Sequence, residues 1–558
     1  MRRSRLGVSL RSLQRDIGKG HRTNSGLDDV EPTAVVPDRG SAPHQGVEGP
    51  VRSVDVPGDA PVAGGTDSGL PKRIVTGMVA LGFRQALVKV VSVVGGVVLA
   101  RILSPSTFGA YAIVSFAVAA FTIVGDLGLA ASLIQQDHEP TEHERRVAFA
   151  VQQMILGLAT ILILLLSPVI AAFFQMDDSA QLVLRLLALG LIVSSLRTIP
   201  ATIMERNLEF GRLAVAEAGQ VIAFQAVAIA MAVHGYGILS FGIAALVGTS
   251  INTALVNLMR PWRPGWAWDW QYLVKILRFG LPYQGSNAVS FIKDAINPLF
   301  VGLLVGVVAV GIIAWAGTFV GLPILIVTIL NRLYFPAFSR LRSREDALRL
   351  FAAATIRWSV FVVVGLLALV LPRASFWTLT IFGPQWLPAV PMLYWLAIAM
   401  PFAAAASPGL ALLNAHGRSR EVFFFTVVWM VATWALTVPA VALMGWIGFG
   451  VANALVQLTN PFFFRRIQAC VHIPIWPGIT KAFVAGGLAW LSQLVVLAVA
   501  PGTSGAVAAV AVFIGAAIYL ASWACLSRAE LRVDLGILKG LARSGSAGVY
   551  QVVSSTEE

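Results

Sequence analysis

The stretch "FIKDAINP", residues 291–298, sets Lys293 beside Asp294 inside a long apolar run. An ammonium in such a place can hold an anion. A buried carboxylate, whose pKa burial raises, can take up and release a proton or a cation. On a helix each residue advances by about 100°. Over residues 284–297 that turn puts Gln284, Ser286, Asn287, Ser290, Lys293, Asp294 and Asn297 on one half of the circumference, with Phe291 the single apolar residue among them. A smaller stripe, Gln85, Lys89, Ser92 and Gly96, lies in an earlier apolar run, within about 60° of arc. Each stripe has a cation near its middle. Lys89 and Lys293 are therefore the candidate anion ligands. Gln85, Ser92, Gln284, Asn287 and Asn297 are candidate neutral ligands, and Asp294 is a candidate coupling site for a proton or cation. The alternative for Lys293 and Asp294 is packing, with each paired to another helix, because adjacent helical residues do not face each other. Arg101, at the end of the earlier run, reads equally as an interface anchor or a ligand. Asp126 in "VGDLGL" and Glu217 in "AVAEAGQ" are two more buried charges. A structural hydrogen-bonding role is favoured for both over ion coupling.

Catalytic signatures are absent. The chain has no Walker-type phosphate loop, no His-Glu zinc pattern and no nucleophile elbow. Cys470 and Cys525 have no metal-site spacing and imply no disulfide framework. The reading is a non-enzyme with no cofactor and no metal. Its work would be driven by an ion gradient, the membrane potential or downhill movement of a substrate.

The elements that must hold these residues are membrane helices. Of 558 residues, 57% are hydrophobic and 12% charged, about half the charge of a soluble protein. The apolar residues fall in blocks of about 20, the length that crosses roughly 30 Å of hydrocarbon. The expected fold is all-α and polytopic, with fourteen spans beginning near residues 74, 106, 145, 179, 211, 237, 278, 307, 347, 386, 421, 446, 481 and 505. Their connections alternate sharply: eighteen Lys and Arg residues fall in one set and one, Arg373, in the other. Positive connections stay in the cytoplasm, which places both termini there, in the plasma membrane. The net charge of +13 is explained by this bias, and no nucleic-acid partner is implied.

The chain divides further. Residues 1–70 are polar and read as a disordered tail, whose basic start is either an amphipathic helix on the membrane or a solvated arm. Spans one to six occupy 71–259. The tryptophan-rich segment 260–277 is an interfacial linker. Spans seven to twelve occupy 278–464, two further spans 465–527, and 528–558 is a second cytoplasmic tail. A weak repeat relates the two groups of six. "TFGAYAIV" at 107–114 is loosely matched by "AVGIIAWA" at 309–316, and Pro200 by Pro408. Six spans per copy give both the same orientation, hence a pseudo-twofold axis along the membrane normal and a cavity between two lobes.

At "LARILSPSTFGAYAIV", "DLGL", "LIQ", "SLRTIPATIMERNLEFGRLAVAE" and "PWRP" the chain resembles the oligosaccharide flippases of bacterial polysaccharide biosynthesis, in the superfamily that also holds multidrug and toxin extrusion proteins. The resemblance covers about residues 74–490 and is nearest to exporters of the exopolysaccharide or colanic-acid type. It implies transfer of an undecaprenyl-diphosphate-linked oligosaccharide between leaflets by alternating access. The implied partners are that lipid-linked substrate, membrane lipid and other polysaccharide-assembly proteins. In related flippases cavity arginines meet the diphosphate; here the candidates are lysines, point charges rather than bidentate forks. A cation-coupled small-molecule exporter is the second reading, and a non-transporting scaffold of envelope assembly the third.

The charge pattern makes the topology testable. Cysteines placed in 174–180 and 501–505 should react with an impermeant thiol reagent added to intact cells, and cysteines in 340–346 should not. Labelling of the last segment would invert the orientation.

Overall fold

The computed structural model of the chain describes residues 88–534, apart from 127, 137, 343, 344 and 501–503. Side chains at 124–126, 131, 279, 281–287, 329, 332, 333, 335, 336 and 340 are also outside the description. The chain divides into two units, Met1–Asp67 and Ser68–Glu558, and every described residue belongs to the second. The expected N-terminal tail, Gln85 and the end of the C-terminal tail thus lie outside the described residues. So do the side chains of Asp126, Gln284 and Asn287.

The described residues form helices and no strand. In order they are α1 (88–102), α2 (Pro105–Asp126), α3 (Leu129–Gln135), α4 (Glu142–Phe173), α5 (Asp178–Ser195), α6 (Thr198–Arg206), α7 (Phe210–Val233), α8 (Leu239–Met259) and α9 (Trp270–Asp294). After a π-helical turn, Ile296–Val301, come α10 (Gly302–Leu304), α11 (Val307–Leu341), α12 (Glu345–Val370) and α13 (Ala374–Trp377). A second π turn, Thr378–Phe382, leads to α14 (Val390–Ala415), α15 (Ser419–Met444), α16 (Trp446–Val456), α17 (Asn460–Val471), α18 (Ile475–Val499) and α19 (Gly505–Leu526).

The starts follow local chemistry. Thr141 and Glu144 form a capping box at α4, satisfying two backbone donors that a helix start leaves free. Asp269 caps α9 by accepting from the Tyr272 N–H at 3.0 Å. This cap sets a boundary that differs from the expected one. The linker is extended only as far as Asp269, and the seventh long helix starts at Trp270 rather than near 278.

Twelve described helices are long and apolar enough to cross a membrane, by length and composition. The fourteen expected spans are not all reproduced by that criterion. The two outside it are the first, described only from residue 88, and α9, whose charges lower its hydropathy. They are the two helices with polar stripes.

Helices before residue 260 pack largely on one another: α7 on α8, α5 on α4 and α8, and α2 on α4 and α5. Those after 300 do the same, with α11 on α14 and α12, α12 on α18, and α18 on α19. Helix α9 bridges the two sets, packing on α15 and α3. Its Tyr272, Leu273 and Ile276 are buried with Leu129, Val147 and Val151. Beyond α19 the chain is tied down by Asp534, which accepts from Arg357 Nε at 3.2 Å and Trp358 Nε1 at 3.1 Å.

The two sets meet most closely where α2 crosses α11, at the end of the bundle with arginine-poor connections. A Cβ at Gly109 would stand 1.9 Å from the Val307 carbonyl oxygen, and one at Gly311 would stand 1.9 Å from that of Pro105. The contact is reciprocal: Pro105 and Gly109 of one strand of the crossing answer Val307 and Gly311 of the other. The aligned repeat segments supply the pair. Beside the crossing, Arg101 Nη1 donates to the Thr380 and Ile381 carbonyls at 2.7 and 3.1 Å. From the other set, Gln385 Nε2 and Trp386 Nε1 donate to the Ala100 carbonyl at 3.0 and 2.7 Å.

Alanine at Gly109 or Gly311 would put a carbon where a carbonyl oxygen stands, so the backbones must part. Overpacking of this kind costs about 1–3 kcal/mol. Either variant should melt below the parent in detergent. In sealed vesicles, with Cys470 and Cys525 replaced by serine, either should also expose a cysteine at Ala112 to impermeant reagent from the arginine-poor side. Unchanged melting together with unchanged labelling would show that the crossing does not close this end.

Candidate functional site

Beneath the α2–α11 crossing lies a cavity of about 630 Å³. Helix α1 contributes Lys89, Ser92 and Gly96; α2 contributes Phe108, Tyr111 and Ser115; α7 and α8 contribute Phe224, Gln225 and Phe241. From the other set come Trp315, Thr318, Phe319, Leu322 and Leu325 of α11, with Phe382 of the second π turn. The cavity therefore lies between the two helix sets. Its closed end is the crossing. Lys89 stands toward the opposite, arginine-rich end, three turns of helix and about 18 Å along the axis from Arg101.

The walls are mainly apolar and aromatic, the usual make-up of a ligand pocket with a few orienting polar groups. Several rings are held in place by others. Tyr111 stacks on Phe241 with centroids 4.4 Å apart, and Phe319 stacks on Trp315 at 5.8 Å. Gln225 crosses to α1, where its Nε2 donates to the Ser92 carbonyl at 3.3 Å. The contact is possible because residue 95 is glycine: a Cβ there would fall 2.2 Å from Gln225 Oε1. The Oε1 atom is buried without a hydrogen-bond partner among the described residues, and the Ser115 hydroxyl lies beside that of Tyr111. Lys89 is the one charged side chain in the described lining. It is exposed, and no other described residue pairs with it.

The expected site residues are only partly brought together. Lys89 and Ser92, with Gly96 of the same stripe, line the cavity. Ser92 Oγ donates to the Val88 carbonyl at 3.0 Å, which leaves its lone pairs for a ligand. Lys293 is not in the lining. Its ammonium turns back to the Asp294 carboxylate at 2.7 Å, with the two side chains 34% and 69% exposed. The expected pairing with other helices is thus replaced by a pair between neighbours, made possible by the length of the lysine stem. Phe291, the apolar residue on that stripe, stacks on Phe116 of α2 at 4.5 Å. Asn297 falls in the first π turn, its Oδ1 buried without a partner among the described residues. Arg101 is part of the closure and not of the lining. Glu217 lies on α7, two turns from Phe224 on the same face. Its electrostatic neighbour is Arg197: burial lowers the pKa of that guanidinium, and Glu217, then Glu205, opposes the shift.

The aromatic lining was not singled out from sequence. A signal existed on α11, where Trp315, Thr318, Phe319 and Leu322 recur at helical spacing. In an apolar helix, however, such a stripe reads as core.

Residues 98–391 match the family described as "Polysaccharide biosynthesis protein". Among individual proteins, the chain is 27% identical over 307 residues to the teichuronic acid biosynthesis protein TuaB of Bacillus subtilis (strain 168), covering 54% of this chain and 63% of that one. It is 25% identical over 399 residues to the succinoglycan biosynthesis transport protein ExoT of Rhizobium meliloti (strain 1021), covering 71% and 75%. It is 25% identical over 376 residues to the lipopolysaccharide biosynthesis protein WzxC of Escherichia coli (strain K12), covering 65% and 74%. The match thus spans less than two thirds of TuaB and about three quarters of the other two. Among solved structures, the fold is that of the lipid II flippase MurJ in its inward closed conformation, with a TM-score of 0.68 at 16% identity over 81% of this chain and 100% of that one. An inward-facing multidrug resistance MATE transporter follows, with a TM-score of 0.53 at 13% identity over 68% and 94%. The fold is thus that of polytopic helical membrane transporters, and the family match covers more than half of the sequence: the chain belongs to the polysaccharide biosynthesis protein family.

Proposed function

We propose that the chain is a plasma-membrane flippase that carries an undecaprenyl-diphosphate-linked oligosaccharide between leaflets by alternating access, for assembly of a cell-surface polysaccharide. In this reading the two helix sets are the lobes, and the arginine-rich end and both termini face the cytoplasm. The observation that carries it is the cavity between the sets, closed at the arginine-poor end by the α2–α11 crossing and holding toward the other end a lysine with no partner among the described residues. A cation without a counter-charge in a membrane protein is costly unless water or a ligand meets it, and a lipid diphosphate is such a ligand. The naming of ExoT as a biosynthesis transport protein supports the same reading.

The second reading, an exporter of cationic small molecules, shares the fold of the MATE transporter. It is disfavoured by the lining, which has no carboxylate among its described residues.

Lys89 decides between them. Lys89→Gln should lower export of surface polysaccharide at least tenfold with membrane abundance unchanged, because the side chain is exposed and holds no partner among the described residues. Lys89→Arg should keep most of it. Lys293→Gln, measured in parallel, separates its roles. A loss matching that of Lys89→Gln would put Lys293 on the substrate path, whereas near-normal export would leave it paired with Asp294, an exposed pair of the kind worth about 0–1 kcal/mol. Normal export by Lys89→Gln at normal abundance would sink the diphosphate role.

A further inference from the structure

Lys89 stands at the end of the cavity away from the α2–α11 crossing, and the space between them is lined by no other charged side chain among the described residues. Tyr111, Phe224 and Phe319 each present part of a ring to this space, and all three are half-buried. The Tyr111 and Phe319 planes are fixed in advance by their stacking on Phe241 and Trp315. Ser115 and Gln225 add polar groups to the same wall: the Ser115 hydroxyl lies beside that of Tyr111, and Gln225 Oε1, packed against Gly95, has no hydrogen-bond partner among the described residues. A buried polar atom left unpaired costs free energy that a matching ligand group recovers.

We infer that this inner part of the cavity is a saccharide subsite, entered sugar-first while the diphosphate stays at Lys89, and that it selects an uncharged sugar over an acidic one. The inference rests on the flippase reading above and adds the substrate class. The chemistry is that of a pyranose ring. Its C–H faces are apolar enough to lie on aromatic planes, and its rim of hydroxyls can exchange hydrogen bonds with the Tyr111–Ser115 hydroxyl pair and with Gln225. A hydrocarbon tail would use the rings but leave Gln225 Oε1 unpaired and offer nothing to the Tyr111–Ser115 hydroxyls. A uronic acid would use the rings and the polar groups, yet bring a carboxylate into an apolar space with no cation beside it among the described residues. Burying an unpaired charge is far more costly than burying a hydroxyl that finds a partner. Sites built to hydrogen-bond a substrate group discriminate strongly against ligands that leave their polar atoms unpaired.

The test uses the full chain in nanodiscs and three short-chain probes: farnesyl diphosphate, farnesyl diphosphoglucose and farnesyl diphosphoglucuronate. The glucose probe should bind at least tenfold more tightly than either of the others. Phe319→Leu should remove that advantage and leave farnesyl diphosphate binding within about twofold, a difference of about 0.4 kcal/mol on the scale where tenfold is 1.4. Thr318→Lys should bring the glucuronate probe up toward the glucose probe. Equal binding of all three probes, or Phe319→Leu weakening the sugar-free probe as much as the glucose probe, would overturn the subsite and give the rings to the lipid chain. Failure of the parent reading is distinct from either result: Lys89→Gln would then leave binding of farnesyl diphosphate unchanged.

Discussion

The crossing of α2 over α11 is the contact on which the arrangement depends. At Gly109 and Gly311 neither helix has a side chain, and each backbone lies where the other's Cβ would be. No other residue type permits that approach, since a single methyl would collide with a carbonyl oxygen. The closeness converts a cleft between two helix sets into a cavity with one blind end. It also brings Phe108 and Trp315 within reach of Trp386, which is fully buried against both, with centroids 5.2 and 4.9 Å away. The aromatic roof of the cavity is therefore a consequence of two absent side chains.

The polar bonds beside the crossing answer a problem of local geometry. The π turn Thr378–Phe382 ends at Gly383, whose φ of 110° takes the chain out of helix. The last carbonyls of a helix that stops have no partner further along, and a cation at such an end is also favoured by the helix dipole. Arg101 meets both needs at Thr380 and Ile381. Gln385 and Trp386, both uncharged, meet only the first of these needs, at Ala100, close to the end of α1. Each set thus caps a helix end belonging to the other, and separation would leave free carbonyls on both sides.

How much of this was legible in the sequence depended on what each signal reports. Hydropathy and the alternation of arginines report environment, and they placed nearly every helix start: α2 at Pro105 against 106, α11 at Val307 as expected, α19 at Gly505 as expected. The polar stripes report which face of a helix avoids lipid. They do not report what that face meets. Lys89 meets the cavity, but Lys293 folds onto its neighbour Asp294. Helical-wheel geometry treats side chains as fixed spokes, and a lysine stem is long and flexible. The repeat was visible as "TFGAYAIV" against "AVGIIAWA", yet alignment could not say that the two glycines touch. The aromatic lining was hidden for another reason: in an apolar helix a ring that faces a cavity and a ring that faces a neighbour have the same spelling.

The closure combines a symmetric part with an asymmetric one, and the two parts have different energies. The glycine contact is reciprocal and made of backbone, so it has no bond to break and resists only by fit. The hydrogen bonds of Arg101, Gln385 and Trp386 run in both directions but at one place only: they join α1 to the segment after α13. The corresponding end of α9 and α10 offers apolar Leu303 and Leu304 instead. A net contribution of about 0.5–1.5 kcal/mol per hydrogen bond, more where a charge donates, makes the latch worth a few kcal/mol in all. Moving a two-state equilibrium from one strongly favoured side to the other takes about 5.5 kcal/mol of differential binding. A latch of this size lies within what one well-held ligand can offset. The fit at the glycines sets where the two helix sets close, and the few polar bonds set how firmly.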